Sequence, residues 1–306
     1  EELPILHNLY ERGLQNGLDI KLISRDELKQ IEPYAEGIAA ILVPMAGIVN
    51  YKQVSEKLGE LILTAGGEIQ INSPVQQIDE RDDQVTVETD QATYACRTLI
   101  NCAGLQSDRI ARMTGYYPDL RIVPFRGEYY KLVPEKRYLV KNLIYPVPNP
   151  DFPFLGVHFT RMINGDVEAG PNAVLSFKRE GYVKTDFNLK DFGDIIGYKG
   201  FWRLAGKYMK EGIEEMVRSF SKEKFVESLQ QLIPEVQSED LIVAPAGVRA
   251  QALMSDGSLV DDFQIIHGKH SVHVCNAPSP AATASLMIGE EIVNRMENNM
   301  NFAAIK

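Results

Sequence analysis

The chain has 306 residues and a formal net charge of -10, from 32 Lys and Arg against 42 Asp and Glu. That balance argues against nucleic-acid binding, which needs concentrated cations to displace counterions, yet it allows a small basic pocket for an acidic ligand. No apolar run reaches the roughly 20 residues of a bilayer-crossing helix, and no signal peptide is visible. Cys96, Cys102 and Cys275 have neither disulfide-framework nor zinc-type spacing, so reduced thiols and no metal are expected.

His7 to Asn16 reads as helix, and Ile20 to Ile23 and Ile38 to Val43 as short strands. Between those strands Ser24 and Glu27 have capping-box spacing for a short helix, and Asn50 and Gln53 repeat the arrangement before the next one. There Val54, Leu58, Leu61 and Ile62 share a face at 3.6-residue spacing, and Gly66-Gly67 ends the helix. The period then changes to two. Glu68 to Ile71, Val75 to Ile78, Val85 to Glu88 and Tyr94 to Leu99 read as strands. The run Thr98 to Cys102 breaks at Ala103-Gly104, before a helix from Ser107 to Met113; strand, glycine turn and helix are the ingredients of an open α/β nucleotide-binding sheet.

From about Arg121 the texture changes. Leu143 to Val147, Leu155 to Thr160, Val167 to Ala169 and Ala173 to Phe177 make a largely antiparallel set of strands. A helical block from about Leu189 to Leu232 follows, with an apolar stripe through Met209, Ile213, Met216, Val217, Phe220, Phe225, Leu229 and Leu232 that reads as core. From Leu241 the α/β texture returns, with strands at Leu241 to Val243, Gln264 to Ile266 and Ser271 to Val274 and a helix from Ala281 to Met296. The expected domains are discontinuous. Residues 1–120 and 240–306 form one α/β domain, residues 121–239 form a second with the helical block, and 1–50 are allotted to either.

Four constellations carry chemistry. Arg249 lies in Pro245-Ala246-Gly247-Val248-Arg249-Ala250-Gln251-Ala252, and its five-donor fork suits either a planar carboxylate or a salt bridge to Asp256, Asp261 or Asp262. The small-residue stretch Asn276 to Ser285 after a strand suits either a large planar or phosphorylated ligand or a tight helix–sheet crossing. His158 is either a proton acceptor near neutral pH or a structural histidine. Arg126 beside Gly127 is either a pocket cation or a domain-interface ion pair. No Gly-x-Gly-x-x-Gly follows a strand, so the residues alone spell out an α/β protein with a second domain and no complete cofactor site.

Taken together, several segments resemble the flavin-dependent amine and hydroxy-acid oxidoreductases, among them glycine oxidase and D-amino-acid oxidase, and most closely the bacterial L-2-hydroxyglutarate dehydrogenase/oxidase family. They are Gly47-Ile48-Val49, Asn101-Cys102-Ala103-Gly104-Leu105, Pro124-Phe125-Arg126-Gly127-Glu128-Tyr129, Pro153-Phe154-Leu155-Gly156-Val157-His158, Gly170 to Leu175, Phe177 to Tyr182, Pro245 to Gln251 and Cys275 to Thr283, in family order over essentially the whole chain. The resemblance implies a glutathione-reductase-type FAD-binding domain, incomplete here, interleaved with a mainly antiparallel substrate domain. It also implies oxidation of L-2-hydroxyglutarate to 2-oxoglutarate with FAD as hydride acceptor. It casts Arg249 and His158 as catalytic, with Arg249, Arg126 and Tyr129 holding the substrate. Val75, Cys102, Ala103, Gly104, Asn276, Ala277, Pro278, Ser279, Pro280, Ala281, Ala282 and Thr283 are the implied FAD contacts. Oxygen or a membrane quinone is the implied electron acceptor, in the cytoplasm or peripherally on the inner face of the membrane. Family members begin with a glycine-fingerprint unit of about a hundred residues that this chain lacks, so the chain by itself is expected to hold FAD weakly or not at all and to be inactive. A related FAD oxidase of an amino acid or another 2-hydroxy acid is the alternative enzyme, and a non-catalytic α/β binding module the alternative of a different class.

Overall fold

The computed structural model describes residues 2–148, 156–278 and 281–300. Pro153, Phe154, Leu155, Ser279 and Pro280, and the stripe side chains of Ile213, Met216, Val217 and Phe220, lie outside the described residues. The chain begins with helix α1 (Leu3–Gln15), which takes a proline in its first turn, where its missing N–H is no loss. After strand β1 (Lys21–Ser24), helix α2 (Arg25–Ile31) starts from the expected capping box: Glu27 N–H donates to Ser24 Oγ at 3.3 Å and Ser24 N–H to Glu27 Oε2 at 2.9 Å. Strand β2 (Ala39–Leu42) pairs antiparallel with β1, and helix α3 (Tyr51–Thr64) follows, its amino end capped by Asn50 Oδ1, which accepts from Gln53 N–H at 3.3 Å. Strands β3 (Val75–Glu80), β4 (Val85–Thr89), β5 (Thr93–Cys96) and β6 (Leu99–Asn101) precede helix α4 (Ser107–Met113). Next come β7 (Leu120–Leu132), β8 (His158–Arg161), β9 (Val167–Gly170) and β10 (Val174–Leu175), then helices α5 (Leu189–Ile196), α6 (Lys199–Phe220) and α7 (Lys222–Gln230). Strands β11 (Leu241–Met254), β12 (Gln264–His267) and β13 (Ser271–Asn276) lead to helix α8 (Ser285–Met300). The architecture is mixed α/β, with strand-rich regions separate from the helical run α5–α7. No described helix is long and apolar enough to cross a membrane.

The chain divides into two interleaved units: Glu1–Val54, Arg126–Val174 and Lys210–Gly247 in one, and Ser55–Phe125, Leu175–Met209 and Val248–Lys306 in the other. In the first, β8 and β9 are antiparallel and β9 pairs with the end of β7 through Tyr130↔Ala169. Its core joins that sheet to α7: Leu132, Phe159, Val167 and Ala169 are buried with Phe225, Val226, Leu229 and Ile233. Glu32, 3 % exposed, ties the end of α2 into the same unit by accepting from Lys141 N–H at 3.0 Å and Asn142 N–H at 2.6 Å. In the second unit β12, β13 and β6 form a three-stranded sheet in which β13 and β6 are parallel, and β3–β4–β5 form an antiparallel meander. Val272 and Val274 of β13 pack with Ile292 of α8.

Several expectations change. Glu68 to Ile71 forms no strand: Ile69 and Ile71 are exposed, and a strand needs a ladder partner for its backbone, whatever its alternation. Tyr94 to Leu99 is two strands, because the chain bends at Arg97-Thr98 and β5 and β6 enter different sheets. Leu143 to Val147 contributes one isolated bridge, Ile144 to Phe159. Leu241 to Val243 is the start of a 14-residue strand, which reads short because Pro245 and Gly247, residues that normally mark strand edges or bulges, sit inside it. The last helix begins at Ser285, not Ala281, after a turn over 281–284. The apolar face of α3 is largely exposed, and the helix contains no buried residue.

Candidate functional site

β6 and β13 run parallel, so both chains leave the sheet at the same edge. The carboxyl ends of parallel strands are where open α/β sheets bind ligands. After β6 the chain turns through Cys102, Ala103 and Gly104 into a single 3-10 turn and then α4, and Gly104 takes φ +52, in the left-handed region that glycine occupies without steric penalty. After β13 it passes through Ala277 and the small residues of 281–284 into α8.

Between these turns and α8 lies a cavity of about 380 Å³. Its walls are Cys102, Gly104 and Ser107 from the first turn and α4, and Val274, Cys275, Asn276 and Ala277 from the end of β13. Ala250 of β11, Ala281, Ala282 and one face of α8 complete them. That face is Ser285, Ile288, Gly289 and Ile292, spaced i, i+3, i+4, i+7. No charged side chain among the described residues lines the space. Burial raises the thiol of Cys102 and pushes that of Cys275 up to about 11, so both stay protonated at neutral pH and neither is an activated nucleophile. The site suits a ligand with a broad apolar face, held by a few polar groups from Ser107, Asn276 and Ser285.

Of the expected cofactor contacts, Cys102, Gly104, Asn276, Ala277, Ala281 and Ala282 meet around this one cavity. Ala103, Pro278 and Thr283 belong to the same turns without lining it, and Val75 is the half-buried first residue of β3, paired with Thr89. Arg249 is half-buried on β11 and directly precedes Ala250, so strand alternation sends the two side chains to opposite faces. Asp256, one of its considered partners, accepts from Ser258 N–H at 2.9 Å and Ser258 Oγ at 2.6 Å.

The other expected residues belong to the first unit. Arg126, 6 % exposed, donates through Nη2 to Glu128 Oε1 at 3.0 Å, and Asn172 braces that carboxylate by donating from Nδ2 to Oε2 at 2.9 Å. Tyr129 is half-buried between them in sequence. His158 is buried, its ring stacked on Tyr145 at 4.1 Å between centroids. Its Nδ1 lies 3.0 Å from the carbonyl oxygen of Gly156, which can only accept, so Nδ1 carries a proton. Sequence reasoning did not reach Ser107, Ala250, Val274, Ile288, Gly289 and Ile292 as cavity residues. The helical spacing of the last three with Ser285, with two small residues on one face, was the available signal.

The model of the FAD dependent oxidoreductase family matches residues 1–295. The chain belongs to that family. Among its relatives, the L-2-hydroxyglutarate dehydrogenase of Indibacter alkaliphilus is 52% identical over 291 residues, covering 94% of this chain and 73% of that protein. The Escherichia coli K12 protein of the same name is 43% identical over 297 residues, covering 97% and 70%. The Homo sapiens mitochondrial protein of that name is 44% identical over 319 residues, covering 97% and 69%. Two solved structures share the fold at low identity. FAD-bound L-alpha-glycerophosphate oxidase from Mycoplasma pneumoniae has a TM-score of 0.73 at 19% identity, over 98% of this chain and 70% of that one. Glycine oxidase from Bacillus cereus has 0.67 at 13%, over 97% and 69%. Membership of the FAD dependent oxidoreductase family makes the chain a redox protein.

Proposed function

We infer that the protein oxidises L-2-hydroxyglutarate to 2-oxoglutarate, using FAD, within a glutathione-reductase-type cofactor domain interleaved with a substrate domain. The observation that carries the reading is the meeting of the Cys102–Gly104 turn, the Asn276–Ala277 turn and Ala281–Ala282 around one cavity, in a chain 52% identical to a dehydrogenase of that name. These residues fit FAD by size and polarity and would hold its ring end. When bound, FAD supplies the acceptor for the hydride that leaves C2 of the substrate. Arg249 grips the C1 carboxylate with two parallel N–H donors, which fixes C2 in turn. His158 is the candidate to take the C2 hydroxyl proton. The C2–H and O–H bonds break, and the C2=O bond forms from the hydroxyl's electrons. Arg126, although paired with Glu128 in this structure, and Tyr129 are the candidates for the distal carboxylate. Electrons then pass to oxygen or a quinone.

Anaerobic titration of the flavin-loaded protein with L-2-hydroxyglutarate tests this. Bleaching of the flavin absorbance with stoichiometric 2-oxoglutarate is the expected result. Bleaching by an amino acid or a monocarboxylic hydroxy acid alone would transfer the reading to the alternative oxidase, and a native protein that binds no flavin would refute it.

A further inference from the structure

Beneath the Cys102–Gly104 turn lies a closed set of hydrogen bonds around His273, whose side chain is wholly buried. The parallel register of β6 and β13 sets His273 opposite Asn101, so both side chains rise from the same face of the sheet. Asn101 Oδ1 accepts from Ala103 N–H at 3.1 Å, and Nδ2 donates to the Ser107 carbonyl at 2.8 Å. A backbone N–H only donates and a carbonyl only accepts, so this amide has one orientation. Nδ2 then aims its second proton at His273 Nδ1, 3.1 Å away. Nδ1 must offer a lone pair, and the imidazole proton sits on Nε2.

The other side of the ring agrees. Nε2 lies 2.9 Å from Ser271 Oγ and 3.1 Å from Thr114 Oγ1. The protons of those hydroxyls are already committed, to Glu80 Oε2 at 3.0 Å and to the Ala111 carbonyl at 2.8 Å. Both oxygens are therefore acceptors for Nε2–H. Glu80 of β3 is the charged group facing this cluster, and Tyr116 lies with its ring 5.6 Å from that of His273. Burial holds His273 below its ordinary pKa, against a weaker upward pull from Glu80. A second proton on Nδ1 would set two donors against each other and expel the Asn101 amide from its place.

We propose that His273 is a positioning residue for the cofactor cavity: through its Nδ1 lone pair it holds Asn101, and Asn101 holds the Cys102–Gly104 turn and the start of α4 in the shape that receives the ligand. Asn101 does this from both ends of the turn, at Ala103 N–H and at the Ser107 carbonyl, while Cys102, Gly104 and Ser107 themselves line the space. The ligand's identity as a flavin rests on the function inferred above; the geometry of the pair does not.

Two substitutions separate the two nitrogens. In His273→Asn the side-chain oxygen stands where Nδ1 stood and still accepts from Asn101. In His273→Gln the amide reaches the Nε2 position, toward Ser271 and Thr114, and Asn101 loses its acceptor. Hydrogen exchange at the Ala103 and Gly104 amides of the purified protein, with and without added FAD, reads the turn directly. His273→Gln should speed exchange about 10- to 100-fold, the range expected when one buried donor loses its partner, and FAD affinity should fall in the same order. His273→Asn should stay within about threefold of the native protein. ¹⁵N NMR of the native imidazole should show the Nε2–H tautomer. Equal loss in both variants, native protection in His273→Gln, or a proton on Nδ1 overturns the proposal. The exchange measurement needs no cofactor, so a native protein that takes up no FAD would refute the flavin reading while the exchange rates still decide the role of the pair.

Discussion

Asp108→Asn removes the charge at the centre of the most deeply buried ionic cluster described in this chain. Asp108 lies in the first turn of α4, wholly buried, and accepts from both terminal nitrogens of Arg179, with Nη2 at 3.0 Å. It also accepts from Arg112 Nη1 at 3.3 Å and from Ile122 N–H at 3.2 Å. Arg179 is itself 2 % exposed and donates to the Leu105 carbonyl at 2.6 Å. Its own N–H donates to Asp191, which with Asp194 binds Arg109. Three arginines therefore face three aspartates, and the asparagine leaves one guanidinium in excess where water cannot reach Arg179. Removing one partner of a buried pair costs about 3–5 kcal/mol. The lower end, about 3 kcal/mol, applies here, because Arg112 is partly exposed and Arg179 keeps Leu105. Urea denaturation at pH 7 measures it. Burial pushes the Asp108 carboxyl up, but the hydrogen bonds and charge of Arg179, with that of Arg112, outweigh this and hold it below the usual carboxylate range. Its contribution is therefore complete above the unfolded value of about 3.9 and lost as pH falls through the lower folded value. The native protein should lose stability across that window more steeply than Asp108→Asn. A loss at pH 7 under about 1 kcal/mol, or parallel acid profiles, would refute the reasoning.

Three further outcomes follow from the site and the fold. Arg249→Lys keeps the charge and loses the fork; flavin content and melting temperature should hold while kcat/KM on L-2-hydroxyglutarate drops about 10²-fold, near 3 kcal/mol, and lost flavin or a collapsed melting temperature would mark Arg249 as structural. His158→Asn can still donate to the Gly156 carbonyl but has no base; kcat/KM should fall about 10²- to 10⁴-fold and the acid limb of its pH profile should vanish, whereas an unchanged profile would remove His158 from proton transfer. Gly170 takes φ +143, and a Cβ there would stand 2.7 Å from the Glu128 carbonyl oxygen; Gly170→Ala should cost more than about 1 kcal/mol in urea denaturation, and a neutral result would show that β7 and β9 can yield there.

Local chemistry made part of this legible. The Ser24 box, the helix after Asn50 and the turn at Gly104 each depend on residues within four positions of one another, and each forms where the spacing puts it. The turns at 102–104 and 276–277 could be singled out as candidates because small residues directly follow apolar strands, and residues of both line one cavity. Long-range pairing was not readable. β6 is three residues long, and its partner β13 lies some 170 positions further on, so nothing near Asn101 announces His273. Glu128, the ion-pair partner of Arg126, stands two positions away in plain view, but nothing near it announces Asn172, which braces that carboxylate from 44 positions further on. The 14-residue length of β11 was hidden by Pro245 and Gly247, which weaken the period-two signal where other strands carry the pairing.

Glycines of the second unit are there for more than one physical reason. At Gly268 a Cβ would stand 2.2 Å from Ser271 Oγ, and at Gly200 it would stand 2.2 Å from the Met254 carbonyl oxygen, so packing alone forbids a side chain at both. Gly104 has open space around it but a left-handed φ, so its backbone is the reason. Gly289 has neither: it lies inside α8 with no positive φ, and a Cβ there meets nothing within 4 Å. Glycine in a helix interior costs about 1 kcal/mol relative to alanine, and no contact among the described residues offsets that cost. What the missing side chain leaves is volume in the cavity wall, on the same helix face as Ser285, Ile288 and Ile292. Gly193 in α5 and Gly206 in α6 combine the same open space with an ordinary φ and do not line the cavity, so a helix glycine marks the cavity only through its position on the lining face of α8.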